Sequence, residues 1–110
     1  MSKREDNLFA IHDYFFKNES TSMLIIYGKD FEEKLDTIME VAYRNRHKIR
    51  AMKVLGGTYP PNKFSFIRID DTLKMVYFAE MRSYYLDEVA RDWNAAILDF
   101  DQPRLTGPSG

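Results

Sequence analysis

Residues 23–46 read Met-Leu-Ile-Ile-Tyr-Gly-Lys-Asp-Phe-Glu-Glu-Lys-Leu-Asp-Thr-Ile-Met-Glu-Val-Ala-Tyr-Arg-Asn-Arg, and their pattern decides the fold class. The first five residues form a continuous apolar run bounded by turn-forming residues, as expected of a strand covered on both faces. Gly28 ends the run. Asp30 stands three residues before Glu33, a capping-box-like pair with Asp in place of Ser or Thr. Phe31, Leu35, Ile38, Met39 and Ala42 then recur at helical spacing, which predicts a helix over residues 31–46. Its carboxylates (Glu32, Glu33, Asp36) come early and its arginines (Arg44, Arg46) late, an order that suits the helix dipole. A buried strand running directly into an amphipathic helix is the start of an α/β or α+β domain.

The other elements follow from this pair. Residues 8–16, with Leu8, Ile11 and Phe15 on one stripe, predict a short helix capped by Asp6 or Asn7. Residues 48–55 alternate, with Ile49, Ala51 and Lys53 expected on one side and Arg50, Met52 and Val54 on the other. Residues 56–62, Gly-Gly-Thr-Tyr-Pro-Pro-Asn, are the strongest loop signal in the chain. Strands are expected over 63–69 and 73–79, joined by a tight turn at Asp70-Asp71-Thr72, so that three strands form an antiparallel meander. Leu86, Val89, Ala90 and Trp93 mark a short helix, opened by Ser83, with Trp93 in the core. Residues 95–100 form a last apolar strand. The predicted order is α-β-α-β-β-β-α-β, a single small domain over residues 1–102 with a mixed sheet of about five strands and two to three helices. The two apolar strands, 23–27 and 95–100, should be central. Residues 103–110, rich in Pro and Gly, are expected to be a loose tail.

Composition narrows the class. One hundred and ten residues, 45% hydrophobic and 15% aromatic, are enough for one real core. Without cysteine there is neither a disulfide framework nor a cysteine zinc site. No apolar run approaches the roughly 20 residues that a membrane span needs, and no signal-peptide pattern follows Met1. The expectation is a cytoplasmic protein with no membrane partner.

Charge is unevenly distributed. From Val41 to Ile69 there is no Asp or Glu, but there are seven basic residues: Arg44, Arg46, Lys48, Arg50, Lys53, Lys63 and Arg68. The remainder holds all 17 acidic residues and 9 of the 16 basic ones, in a chain of net charge −1. Segregation of this kind points to a polyanionic partner. Arg44, Arg46, Lys48, Arg50 and Lys63 are expected to line one surface, with Tyr59 projecting from the glycine-proline loop to stack or plug. Phe64 and Phe66 are expected in the core. Complementary patches on one small protein also permit homo-oligomeric assembly.

Motifs for catalysis are sparse. Neither Gly-x-x-x-x-Gly-Lys-Ser/Thr nor Gly-x-Gly-x-x-Gly occurs. Ala95-Ala96-Ile97-Leu98-Asp99-Phe100-Asp101 resembles the apolar strand ending in Asp that holds magnesium in P-loop ATPases and helicases, a likeness of seven residues. It implies, as an alternative, a degenerate P-loop-like or metal-dependent enzyme using Asp99 and Asp101 with Asp70. The only histidines, His12 and His47, have no nucleophile or metal-ligand pattern around them. The sequence therefore predicts a non-enzymatic binding or regulatory protein that needs no cofactor or metal. It would engage an acidic macromolecule, nucleic acid or acidic protein, through Arg44, Arg46, Lys48, Arg50, Tyr59 and Lys63. Small regulators that act by occupying a surface, including accessory proteins of viruses and mobile elements, share these traits, which is an argument by analogy.

Overall fold

The computed structural model describes residues 2–56 and 63–106, with side chains to residue 103. The elements are α1 (Lys3–Phe16), β1 (Met23–Tyr27), α2 (Phe31–Arg44), β2 (Ile49–Gly56), β3 (Lys63–Ile69), β4 (Thr72–Ala79), α3 (Tyr84–Asp92), β5 (Ala96–Asp99) and β6 (Arg104–Thr106). They form a small α+β domain around one mixed sheet of order β2-β3-β4-β1-β5-β6. The strands β2, β3 and β4 are the expected antiparallel meander. β1 is parallel to both β4 and β5.

Alternation along the strands sends side chains to two faces. On one face Leu24, Ile26, Ile67, Ile69, Val76, Phe78, Ala96 and Leu98 meet Leu8, Ile11, Tyr14 and Phe15 of α1 and Ile38 and Val41 of α2. On the other, Met23, Ile25, Tyr27, Ala79 and Ile97 meet Ala90 of α3, with Met75, Tyr77 and Leu86 at the margin. Every residue of β1 is buried, which explains its unbroken apolar sequence. Burial at about 25 cal/mol per Å² of apolar surface makes these two clusters the main stabilising term.

Side-chain caps start all three helices. Ser2, Asp30 and Ser83 each accept from a backbone N–H three residues on, at Glu5, Glu33 and Leu86. α1 thus begins at Lys3 with Ser2 as its cap, five residues before the expected start. Asn7, expected as a cap, is instead fully buried and donates from Nδ2 to the carbonyl of Phe100 (2.8 Å), tying α1 to the end of β5.

Four further expectations are corrected. A bulge between Ile49 and Ala51 shifts the β2 register, so Ile49 and Met52 both pack on the larger core. The extra residue reverses the faces that simple alternation assigns beyond it. β5 is not central but lies between β1 and β6. β6 itself comes from the segment expected to be a loose tail, pairing antiparallel with β5 through Arg104↔Asp99. Trp93 caps the C-terminus of α3 and is 65% exposed, so it is not a core residue.

Candidate nucleic-acid interface

Among the described residues expected to form a basic face, Lys63 stands apart from Arg44, Arg46, Lys48 and Arg50. Gly56 pairs with Lys63 and Ile49 with Ile69, so Lys63 lies about six residues, or about 20 Å, along the ribbon from Arg50. Arg44 pairs with Glu40 (2.7 Å) and Arg50 with Asp70 (3.0 Å). Arg4 donates to the same Glu40, and the two guanidinium groups hold that carboxyl below the usual carboxylate range, the Arg4 hydrogen bond being the larger cause. Arg46 stacks over Tyr43 at 4.4 Å, and Lys48 sits over Phe16 at 5.4 Å. Lys63 lies 3.8 Å over Phe31, at the far end of the sheet. Tyr59 is outside the described residues.

A different set of residues does come together. Beyond the bulge, cross-strand registers place Ala51, Arg68 and Leu73 in one row, Lys53, Phe66 and Met75 in the next, and Leu55, Phe64 and Tyr77 in the third. These nine side chains share one face of β2, β3 and β4, the face whose other half is covered by α3. The cover stops short. α3 packs over β1, β5 and the end of β4, and Phe64 and Phe66 belong to neither core cluster. Both rings are half-buried, and Leu73 is 57% exposed. Phe64 is braced edge-on by Tyr77 with centroids 4.7 Å apart. The expectation that Phe64 and Phe66 are core residues is therefore corrected: alternation with buried Ser65 and Ile67 turns them to the opposite, half-covered face.

Lys53 and Arg68 flank Phe66 on this face and have no carboxylate partner among the described residues; Arg68 makes only a long contact (3.5 Å) to the carbonyl of Asp70. Tyr84 and Tyr85, at the start of α3, are 77% and 72% exposed, and Tyr85 lies near Tyr77. Burial raises the Tyr77 hydroxyl above its ordinary pKa, with the nearby Tyr85 adding to the effect. The surface is thus an aromatic platform with two cations that no described carboxylate neutralises. Periodicity hid it, because alternation does not show which face of a strand is covered.

The aspartates expected to share a metal are separated. Asp70 lies in the β3–β4 turn, with φ of 51°, beside the Ile69↔Thr72 pair. Asp99 pairs with Tyr27, at the opposite end of the sheet. There its Oδ1 accepts from the Gln102 amide, and Asp101 faces Lys3 at 3.5 Å. No cluster of three potential metal ligands occurs among the described residues.

Two lysines missed by sequence reasoning are buried, and neither ammonium bonds a carboxylate. Lys34 donates to the carbonyls of Gly28 and Ala79. Lys74 donates to those of Tyr14, Asn18 and Thr21. Burial pushes both below the ordinary lysine pKa, and nearby carboxylates offset part of that shift. Lys34 sits inside the acidic first turns of α2, and Lys74 alternates with Leu73 and Met75, so nothing in the local sequence marks either as buried.

None of the described helices is long and apolar enough to cross a membrane. No protein-family model, curated protein or solved structure matches this chain, so the functional reading rests on its own residues.

Proposed function

We propose that this protein is a non-enzymatic binding module that holds single-stranded nucleic acid across the open face of β2, β3 and β4. The reading keeps the acidic macromolecular partner expected from charge segregation and moves the contact from residues 44–63 to the sheet. The observation that carries it is the row Lys53–Phe66–Met75 with Arg68 and Phe64 beside it. Sheet surfaces that read single strands stack two or three bases on rings from neighbouring strands. Cations between the rings contact the backbone, and stacking tolerates any base because every base has a π-face. Duplex fits poorly, because its bases are already stacked and only two unpaired cations are on offer for its phosphates.

The test is fluorescence anisotropy of a short labelled single-stranded oligonucleotide with the wild-type protein, Phe66→Ala, and the double variant Lys53→Glu/Arg68→Glu. Binding weakened by each change, with folding intact by circular dichroism, supports the reading. Unchanged binding, or none by the wild type at low salt, removes it. Sedimentation of the free protein addresses self-assembly: a dimer that Phe66→Ala dissociates would mean that a second copy, and not nucleic acid, covers the face.

A further inference from the structure

The chain carries a second candidate surface, which shares only Tyr77 with the sheet platform. β1 and β4 are adjacent and parallel. The chain leaving β1 enters α2 on one side of the sheet, and the chain leaving β4 enters α3 on the other. Neighbouring strands whose connections diverge in this way open a crevice beyond their carboxyl ends, the usual ligand position in open α/β sheets. A cavity of about 410 Å³ lies there, lined by Lys29, Phe31, Lys34, Lys63, Tyr77 and Glu80 among others. That volume is within the range of small-molecule sites.

Its walls have a definite chemistry. Three lysines and one glutamate line it, with Asp30 and Asp101 close enough to act on Lys34, so the lining itself is predominantly basic. Lys34 is 1% exposed and bridges the two strand ends, donating to the Gly28 and Ala79 carbonyls. An ammonium has three N–H donors, and two are used. Lys63 lies over the ring of Phe31, which places a cation directly against an aromatic wall. The N-terminus of α2 is not the anion holder, because Asp30 caps it and Glu32 and Glu33 follow. The lysines are.

We infer that this cavity binds a small phosphorylated compound with a planar ring, of mononucleotide size, its phosphate on Lys29, Lys34 and Lys63 and its ring against Phe31 and Tyr77. A phosphate would complete the hydrogen bonding of Lys34 and gain charge-assisted bonds from the other two lysines. This site is separate from the row formed by Lys53 and Phe66.

Calorimetric titration with adenosine 5′-monophosphate and uridine 5′-monophosphate tests the inference, with inorganic phosphate and the two nucleosides as comparison arms. At least one monophosphate is expected to bind more tightly than phosphate or its own nucleoside. Replacing Lys29 and Lys63 by Ala should weaken it about tenfold or more, the worth of a lost charged hydrogen bond. Both lysines are accessible from outside, so the double variant should fold; thermal unfolding checks this. Lys53→Glu/Arg68→Glu should leave monophosphate binding unchanged, which separates this site from the sheet platform. The inference is overturned by no binding of either monophosphate up to about 1 mM, the weak end of the affinity scale. Affinity that ignores Lys29 and Lys63, or that falls equally with the platform variant, also overturns it.

Discussion

Lys53 of β2 stands directly opposite Phe66 of β3 on the face that α3 leaves open. A cation and a ring held in register by backbone hydrogen bonds present a charge and a stacking surface at fixed spacing. The half-buried ring of Phe66 is already placed before a partner arrives, which lowers the entropic cost of binding.

The salt response of binding follows from the charge count. Each phosphate neutralised on a single strand contributes about −0.7 to the slope of log K against log salt. With Lys53 and Arg68 engaged, the slope should be about −1.4, and Lys53→Ala should bring it to about −0.7. Phe66→Ala should leave the slope unchanged while costing about 1–3 kcal/mol of affinity, the worth of one stacked base. Anisotropy titrations at several salt concentrations separate the two effects.

Lys74 should matter to stability far more than Arg50. Lys74→Met removes three hydrogen bonds and leaves the Tyr14, Asn18 and Thr21 carbonyls without that donor. A loss of about 2–4 kcal/mol is expected from such stranded acceptors. Arg50→Ala breaks an ion pair whose two side chains are both more than half exposed, and should cost less than about 1 kcal/mol. Denaturant unfolding of the two variants gives both numbers.

Ser65 offers the opposite case. It is fully buried between Val54 and Val76, and its hydroxyl has no hydrogen-bond partner among the described residues. Ser65→Ala should therefore be neutral or stabilising by up to about 1 kcal/mol, because it removes an unmet polar group. Ile67→Ala, at the next position on the same face, should cost about 2–5 kcal/mol through the cavity it leaves. Thermal melts of both variants check the contrast.

Stability should pass through a maximum near pH 10. Lys34 and Lys74 have folded-state pKa values below their unfolded value of about 10.4. Between the two values the unfolded chain holds more protons, so stability rises with pH through that window. The tyrosines act in the reverse sense. Burial, and then the charge of Asp87, pushes Tyr27 up to about 12, and burial raises Tyr14 as well. Above about pH 10 the unfolded chain loses tyrosine protons that the folded chain keeps, and stability falls. Denaturant midpoints measured from pH 8 upward should rise and then drop. Lys34→Met combined with Lys74→Met should flatten the rise.

Fold legibility tracked how much each signal owed to local physics. The strand Met23–Tyr27 and the helix after Asp30 were readable because apolar periodicity and a side-chain cap both act within a few residues. The Ile49/Ala51 bulge was not, since nothing in the residues around it marks an extra position. The site was legible only as a class. Segregated charge pointed to an acidic partner, but Lys63 and Arg50 fall at opposite ends of one ribbon, a consequence of strand pairing that composition does not encode. Phe64 and Phe66 look like core residues in sequence, because an alternating strand does not say which of its faces a helix will cover.

The most direct measurement is a heteronuclear NMR titration of the protein with a short single-stranded oligonucleotide. The account predicts that shifted amides concentrate at Lys53, Leu55, Phe64, Phe66, Arg68 and Tyr77, with the segment from Arg44 to Arg50 little changed. Shifts confined to that segment, or no shifts at low salt, would contradict the claim that the open sheet face is the binding surface.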